Sequence, residues 1–218
     1  MIPPDQNGNF VACMEKILEI YKRPYDPMFP VVCMDESPKQ LISETKIPIS
    51  AVPGLITKYD YEYKRCGVCN IFMVGEPLVG KRLVKITERK TKVDWAYFLE
   101  DIANLYCDAE KITSVMDNLN THNPGSFYEA FQPPRVKQLW DRFEFIPKHG
   151  SWLNMAGIEL NVLTGQCLNR RIDTIEDVRR ETTAWQEYRN KHKSNVNWQF
   201  TADDARIKLA RPYPSINT

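Results

Sequence analysis

Long apolar runs are missing from this chain of 218 residues. None approaches the roughly 18 consecutive apolar residues that a membrane span needs, and Met1-Ile2-Pro3-Pro4-Asp5-Gln6 lacks the charged and then apolar layout of a secretory leader. An excess of charge of one sign is missing too. With 29 basic and 28 acidic side chains the formal net charge is +1, so no global basic field draws in nucleic acid, and any such surface must be local. Nor is there a disulfide framework: the six cysteines (13, 33, 66, 69, 107, 167) are scattered, two of them within apolar runs, as reduced thiols are. These absences describe a soluble, cytoplasmic protein with no membrane partner. Internal repeats and low-complexity linkers are also lacking. The length suits a single domain with a sizeable core over residues 1–218, with 170–218 as its C-terminal helical extension.

What is present is an alternation of helical and extended patterns. Phe10–Tyr21 has apolar residues at helical spacing and ends toward Pro24 and Pro27. Two short apolar runs then stand out, each closed by an aspartate: Val31-Val32-Cys33-Met34 before Asp35, and Ile112-Thr113-Ser114-Val115-Met116 before Asp117. They read as strands buried on both faces. A carboxylate at the exit of such a strand lies where open α/β sheets bind ligands, and two that converge there can offer oxygen to Mg²⁺. Between them Lys58–Arg65, Gly67–Val74 and Arg82–Glu88 read as an antiparallel meander, and Thr91 with Asp94 caps a helix whose stripe is Trp95, Phe98, Leu99, Ile102, Leu105 and Tyr106.

Beyond Asp117 the pattern predicts a Pro/Gly loop at Asn123-Pro124-Gly125, a helix over Arg135–Arg142, a strand over Phe143–Ile146 and a helix from Met155 to Cys167. A capping box at Asp173 and Glu176 opens a further helix, followed by a strand at Val196–Phe200 and a short helix at Asp203–Leu209. The order is mixed α/β. A meander followed by parallel strands resembles a ribonuclease-H-like fold, a mixed sheet with a three-strand antiparallel meander and flanking helices.

Other signals have plainer readings. Gly75-Glu76-Pro77-Leu78-Val79-Gly80-Lys81 matches the start of a P-loop, but Arg82 stands where the magnesium-binding hydroxyl belongs, so a turn between strands is expected. Cys66-Gly67-Val68-Cys69 is one CxxC without a second pair, short of a zinc site. Arg170-Arg171, Arg179-Arg180 and Lys191-His192-Lys193 read as the solvated face of a helix, with phosphate contact as the alternative.

Four segments together resemble the catalytic domain of DDE transposases: Val31-Val32-Cys33-Met34-Asp35-Glu36, Tyr59-Asp60-Tyr61-Glu62-Tyr63, Val115-Met116-Asp117-Asn118-Leu119-Asn120-Thr121-His122 and His149-Gly150-Ser151-Trp152-Leu153-Asn154. The bacterial insertion-sequence branch of the mariner superfamily is the most similar, and the likeness runs to Phe200–Leu209. It implies that Asp35 and Asp117 are the first two acids of a catalytic triad holding two divalent metals, Mg²⁺ or Mn²⁺, for DNA cleavage and strand transfer. It places Asn118, His122, His149, Trp152 and Asn154 beside substrate or behind the ligands. It implies double-stranded DNA, both transposon ends and target, as partner, a second copy of the chain as a possible one, and a bacterial, nucleoid-associated setting. Full-length relatives carry helix-turn-helix domains N-terminal to this region, and none is visible ahead of it here.

The third acid departs from the pattern. The family has Glu three residues after the Asn of Trp-Leu-Asn, and that position is Gly157. Glu159 follows two residues later, about 200° round a helix and so on nearly the opposite side. The expectation is a lesion at the third ligand, Glu159 serving only if the first helical turn is irregular; a non-catalytic remnant that binds DNA or a partner chain is the alternative.

Overall fold

The computed structural model describes residues 7–47, 49–50, 52–56, 60–117, 122–148 and 153–214, residue 148 by its backbone alone. The elements are α1 (Gly8–Tyr21), β1 (Val31–Glu44), β2 (Tyr63–Glu76), β3 (Lys81–Thr87), α2 (Lys92–Leu105), β4 (Ile112–Asp117), α3 (Pro124–Tyr128), α4 (Pro133–Trp140), β5 (Phe143–Lys148), α5 (Met155–Leu163), α6 (Ile175–Lys191) and α7 (Ala202–Lys208), with a π-helical turn, Thr164–Leu168, ending α5. The strands lie in the order β3-β2-β1-β4-β5. β1, β2 and β3 are antiparallel, and β1, β4 and β5 are parallel.

The meander is therefore β1-β2-β3, one strand earlier than the sequence suggests. Residues 63–65 of the expected first strand are the start of β2, and 58–59 lie outside the described residues. The two segments fuse because a bulge absorbs the break: Leu41 faces Gly67 and Ile42 faces Arg65, which leaves Cys66 as the extra residue. Gly67 has φ +118, open to glycine and strained for other residues. Asp35 likewise does not close its strand. β1 runs on to Glu44, but its pairing with β4 covers only Val31–Cys33. Beyond that point one side of β1 is an edge, which tolerates Pro38.

Strand alternation divides the core into two faces. Val32, Met34, Phe72, Val74 and Met116 pack under α2 against Trp95, Phe98, Leu99 and Ile102. Cys33, Val115 and Ile146 lie on the opposite face against Met14, Ile17 and Leu18 of α1, with α5 and α7 beside them. Further along that face Leu41, Ile71 and Met73 meet Leu160, Leu163, Val178 and Trp185. Each large side chain fully buried there contributes about 1.5–3 kcal/mol. The helix opened by Thr91 has the full capping box with Asp94.

Smaller departures have local causes. α6 is capped by Thr174, one residue past Asp173, whose hydroxyl accepts from Asp177 N–H. Pro124 and Pro133 each sit in a first turn, where a missing N–H costs nothing, so α3 begins inside the expected loop and α4 starts before Arg135. Val196–Phe200 is not a strand but an extended strap, tied by Val196 N–H to the Pro77 carbonyl at 2.8 Å and by Trp198 against Tyr21 at 5.3 Å between ring centroids. The P-loop-like segment is the turn between β2 and β3. Gly80 has φ +71, and a Cβ there would come within 2.7 Å of the Lys193 carbonyl carbon.

The outer edge of β3 is closed by α6. Gln186 Oε1 accepts from Val84 N–H at 2.6 Å, while Asn190 accepts from Arg82 N–H and donates to the Arg82 carbonyl, both at 2.9 Å. Side-chain amides thus take the place of a neighbouring strand on an edge that would otherwise pair with other chains. Among the described residues no helix is long and apolar enough to cross a membrane.

Candidate active site

Asp35 and Asp117 each stand two residues past Cys33–Val115, the last couple of the parallel ladder. Adjacent strands lie about 4.8 Å apart. Asp35 keeps the parity of Cys33 and Asp117 that of Val115, so both carboxylates belong to the face covered by α1 and α5. The strand sequences dictate this: apolar residues alternate with equal phase up to both aspartates, and each aspartate falls where the ladder ends.

The start of α5 is pinned to Asp35. Asn154, 2% exposed, caps the helix by accepting from Ala156 N–H at 3.0 Å, and its amide donates to the Met34 carbonyl at 3.0 Å and to Asp35 Oδ2 at 2.9 Å. Asp35 Oδ1 accepts from Glu36 N–H at 2.9 Å. Asn154 therefore holds one oxygen of Asp35 in place. One turn on, a Cβ at Gly157 would lie 3.6 Å from Asp35 Oδ2. The family position of the third acid faces the first.

Glu159 points elsewhere. Its carboxylate is buried with Arg82 Nε at 3.1 Å and Arg189 at 3.2 Å. Only 2% of the Arg82 side chain is exposed. Burial pulls the Arg82 guanidinium below its usual range; Glu159 opposes that shift and Arg189 adds to it. Glu159 is thus the counter-ion of two arginines, and the irregular turn that would bring it to Asp35 is absent, since α5 runs as an ordinary helix over Met155–Leu163. Sequence reasoning missed both arginines because they come from β3 and α6, distant in the chain.

On the other face of the sheet, Glu36 is buried beside Lys90, with which it forms an ion pair, and its carboxylate is 3.7 Å from His122 Nε2. The His122 ring stacks on Trp95 with centroids 5.0 Å apart, and Nδ1 is 2.7 Å from the Asp117 carbonyl oxygen. Burial pulls the His122 pKa down to about 4, against the pull of Glu36 and with Lys90 reinforcing it. The neutral ring that pairs with a carbonyl carries its proton on Nδ1. Burial is the main cause of that shift, and Lys90, which the sequence did not single out, partly offsets the Glu36 charge.

Asn118, His149 and Trp152 lie outside the described residues. Among those described, no group of three or more His, Cys, Asp and Glu side chains is arranged to hold a metal ion. The two aspartates supply the hard oxygen donors that Mg²⁺ and Mn²⁺ favour. Cys66 and Cys69 are free thiols, Cys66 exposed at the bulge and Cys69 buried in the strand beyond it. Four arginines of the C-terminal region are matched by acids: Arg170 with Glu181, Arg171 with Glu44, Arg179 with Glu176 and Arg180 with Asp177. The stripe of α2 is core, with Trp95 and Phe98 buried. Tyr106 ends it through its backbone N–H to the Ile102 carbonyl at 3.2 Å, and its hydroxyl donates to the buried Glu76 carboxyl at 3.0 Å, whose pKa burial raises.

Two aspartates just past the end of a parallel ladder, on a sheet of order β3-β2-β1-β4-β5, define a class, and comparison with known proteins agrees. The profile of the DDE superfamily endonucleases matches residues 30–179, and the chain belongs to that family. No curated protein matches it. Among solved structures it is similar to the catalytic domain of Mos1 mariner transposase, with a TM-score of 0.52 at 14% identity over 99% of this chain and 100% of that one. The Mos1 paired-end complex with left transposon end gives a TM-score of 0.57 at 14% identity, covering 98% of this chain and 66% of that chain. For the Mos1 paired-end complex with Mn the values are 0.53 and 16%, covering 89% and 62%. The chain thus spans under two thirds of the length of such transposase chains. At these identities the likeness establishes the fold, which is ribonuclease-H-like.

Proposed function

We propose that this chain is the catalytic domain of a bacterial insertion-sequence transposase of the mariner superfamily, acting in the cytoplasm on nucleoid DNA. Residues 1–218 act as one domain, with 170–218 as its helical extension. The observation that carries this reading is the same-face placement of Asp35 and Asp117 at the end of the β1–β4 ladder, with Asn154 fixing an oxygen of Asp35. Asp35 and Asp117 would hold Mg²⁺ or Mn²⁺, two ions in the complete site. Bound there, the metal supplies Lewis-acid activation of water or a 3′-hydroxyl and offsets charge on the leaving oxygen. Solved relatives include Mos1 complexes with Mn and with Mg.

The substrates of this reading are transposon ends and target DNA, as double strands. With a net charge of +1 and the C-terminal arginines paired to acids, this chain by itself would bind duplex DNA weakly and without sequence preference. A separate helix-turn-helix domain would supply recognition. A second copy of the chain is the partner proposed for the exposed apolar residues of the β1–β2 connection, among them Ile47, Ile49, Leu55, Ile56 and Tyr61. Gly157 favours a second reading, a remnant that keeps the fold and binds DNA or a partner chain without cutting.

The two readings part in a nicking assay on transposon-end DNA, with a recognition domain supplied. The catalytic reading expects slow Mn²⁺-dependent nicking that vanishes with chelator and with Asp35→Asn. Nicking that survives Asp35→Asn would remove Asp35 from the chemistry, and its complete absence from the wild type would favour the remnant.

A further inference from the structure

We infer that His122 is a positioning residue, which sets the place of Asp117 from the side of the sheet opposite the two carboxylates. The inference rests on the reading of Asp117 as a metal ligand. The parallel ladder between β1 and β4 ends at Cys33–Val115, so the main chain at Asp117 lies past the last rung shared with β1. Its other neighbour, β5, pairs Asp117 with Lys148, at the last residue of that strand. The Asp117 carbonyl accepts from the His122 Nδ1–H, at 2.7 Å.

The ring that donates this bond has little freedom. It stacks on Trp95 at 5.0 Å with an interplanar angle of 21°, and Trp95 is 1% exposed within the α2 core. The His122 side chain is itself 2% exposed, and the Glu36–Lys90 ion pair closes its far end. The core under α2 thus passes its rigidity through one imidazole to the backbone of an aspartate whose carboxylate faces the other way. A fixed carbonyl fixes the peptide plane and with it the direction of the Asp117 Cα–Cβ bond. Groups that orient a ligand from behind in this manner typically change metal affinity about 10- to 100-fold when removed.

Two substitutions separate the hydrogen bond from the packing. His122→Phe keeps an aromatic ring against Trp95 and loses the donor. His122→Asn loses the ring and places an amide N–H close to where Nδ1 lies. The measurement is the Mn²⁺ dissociation constant of the metal-free chain by electron paramagnetic resonance titration, alongside thermal melting without metal. His122→Phe is expected to weaken Mn²⁺ binding about tenfold, and His122→Asn to keep most of the affinity at a lower melting temperature. A residue that merely closes its own loop would give the reverse, melting shifts with one dissociation constant throughout; equal affinity in wild type and His122→Phe overturns the inference. Asp117→Asn is measured in parallel: if it binds Mn²⁺ like the wild type, or the wild type binds none, the metal-site reading itself has failed, and the inference falls with it. Should His122→Asn not fold, His122→Phe against wild type still decides.

Discussion

Gly157→Glu should raise the rate of metal-dependent nicking on the order of 100-fold, the scale set by one electrostatic contact to a transition state. A Cβ at this position meets Asp35 Oδ2 at 3.6 Å, ordinary van der Waals contact, and the glycine has no left-handed φ. The backbone therefore accepts a side chain there, and a glutamate would extend its carboxylate toward the aspartate pair. The position is also third in α5, one turn from the Asn154 cap. In a first turn the glycine costs less than the roughly 1 kcal/mol of a helix interior, and a glutamate there adds a favourable interaction with the helix dipole. Without metal, repulsion from Asp35 offsets that gain, and the melting temperature of Gly157→Glu should rise more on adding Mn²⁺ than that of the wild type. A variant that folds, binds Mn²⁺ no better and nicks no faster would show that residue 157 does not supply the missing ligand.

Glu159→Gln should destabilise the fold by about 3–5 kcal/mol, the usual cost of removing one partner from a buried ion pair. Arg82 is sealed from solvent with Glu159 at 3.1 Å, and Arg189 stands beside it at 3.2 Å from the same carboxylate. Taking away the anion leaves two guanidinium groups facing each other at low dielectric. Urea unfolding of wild type and Glu159→Gln measures this. The residual nicking activity of the folded fraction should be unchanged. A loss of activity without loss of stability would instead put Glu159 in the chemistry. A position counted along a helix shows which way the Glu159 side chain points and not what waits for it there, here Arg82 and Arg189.

That difference runs through the whole molecule. Patterns carried by neighbours in sequence were legible: α1 to within two residues, β4 at both ends, and the Thr91–Asp94 capping box. What depends on distant partners was not. β1 continues past Asp35 because β2 offers it a ladder to Glu44, and β2 joins the end of one expected strand to the next because one bulge at Cys66 keeps their register. Val196–Phe200 has the alternation of a strand but no strand to pair with, and it lies as a strap across Tyr21. Within the candidate site, motif order marked Asp35, Asp117, His122 and Asn154, while their contacts emerged only from the fold: the Asn154 amide on Asp35, the Trp95 ring under His122, Lys90 on Glu36.

The central claim is that Asp35 and Asp117 form one divalent-metal site, with the space beside Gly157 at its open side. The most direct measurement is anomalous scattering from crystals of this chain soaked in Mn²⁺. A manganese peak is expected within coordinating distance, about 2.1–2.2 Å, of oxygens from both Asp35 and Asp117, with water completing the shell on the side of Gly157 and no metal at Glu159. A peak on Glu159, or manganese on one aspartate with the other turned away, would contradict it.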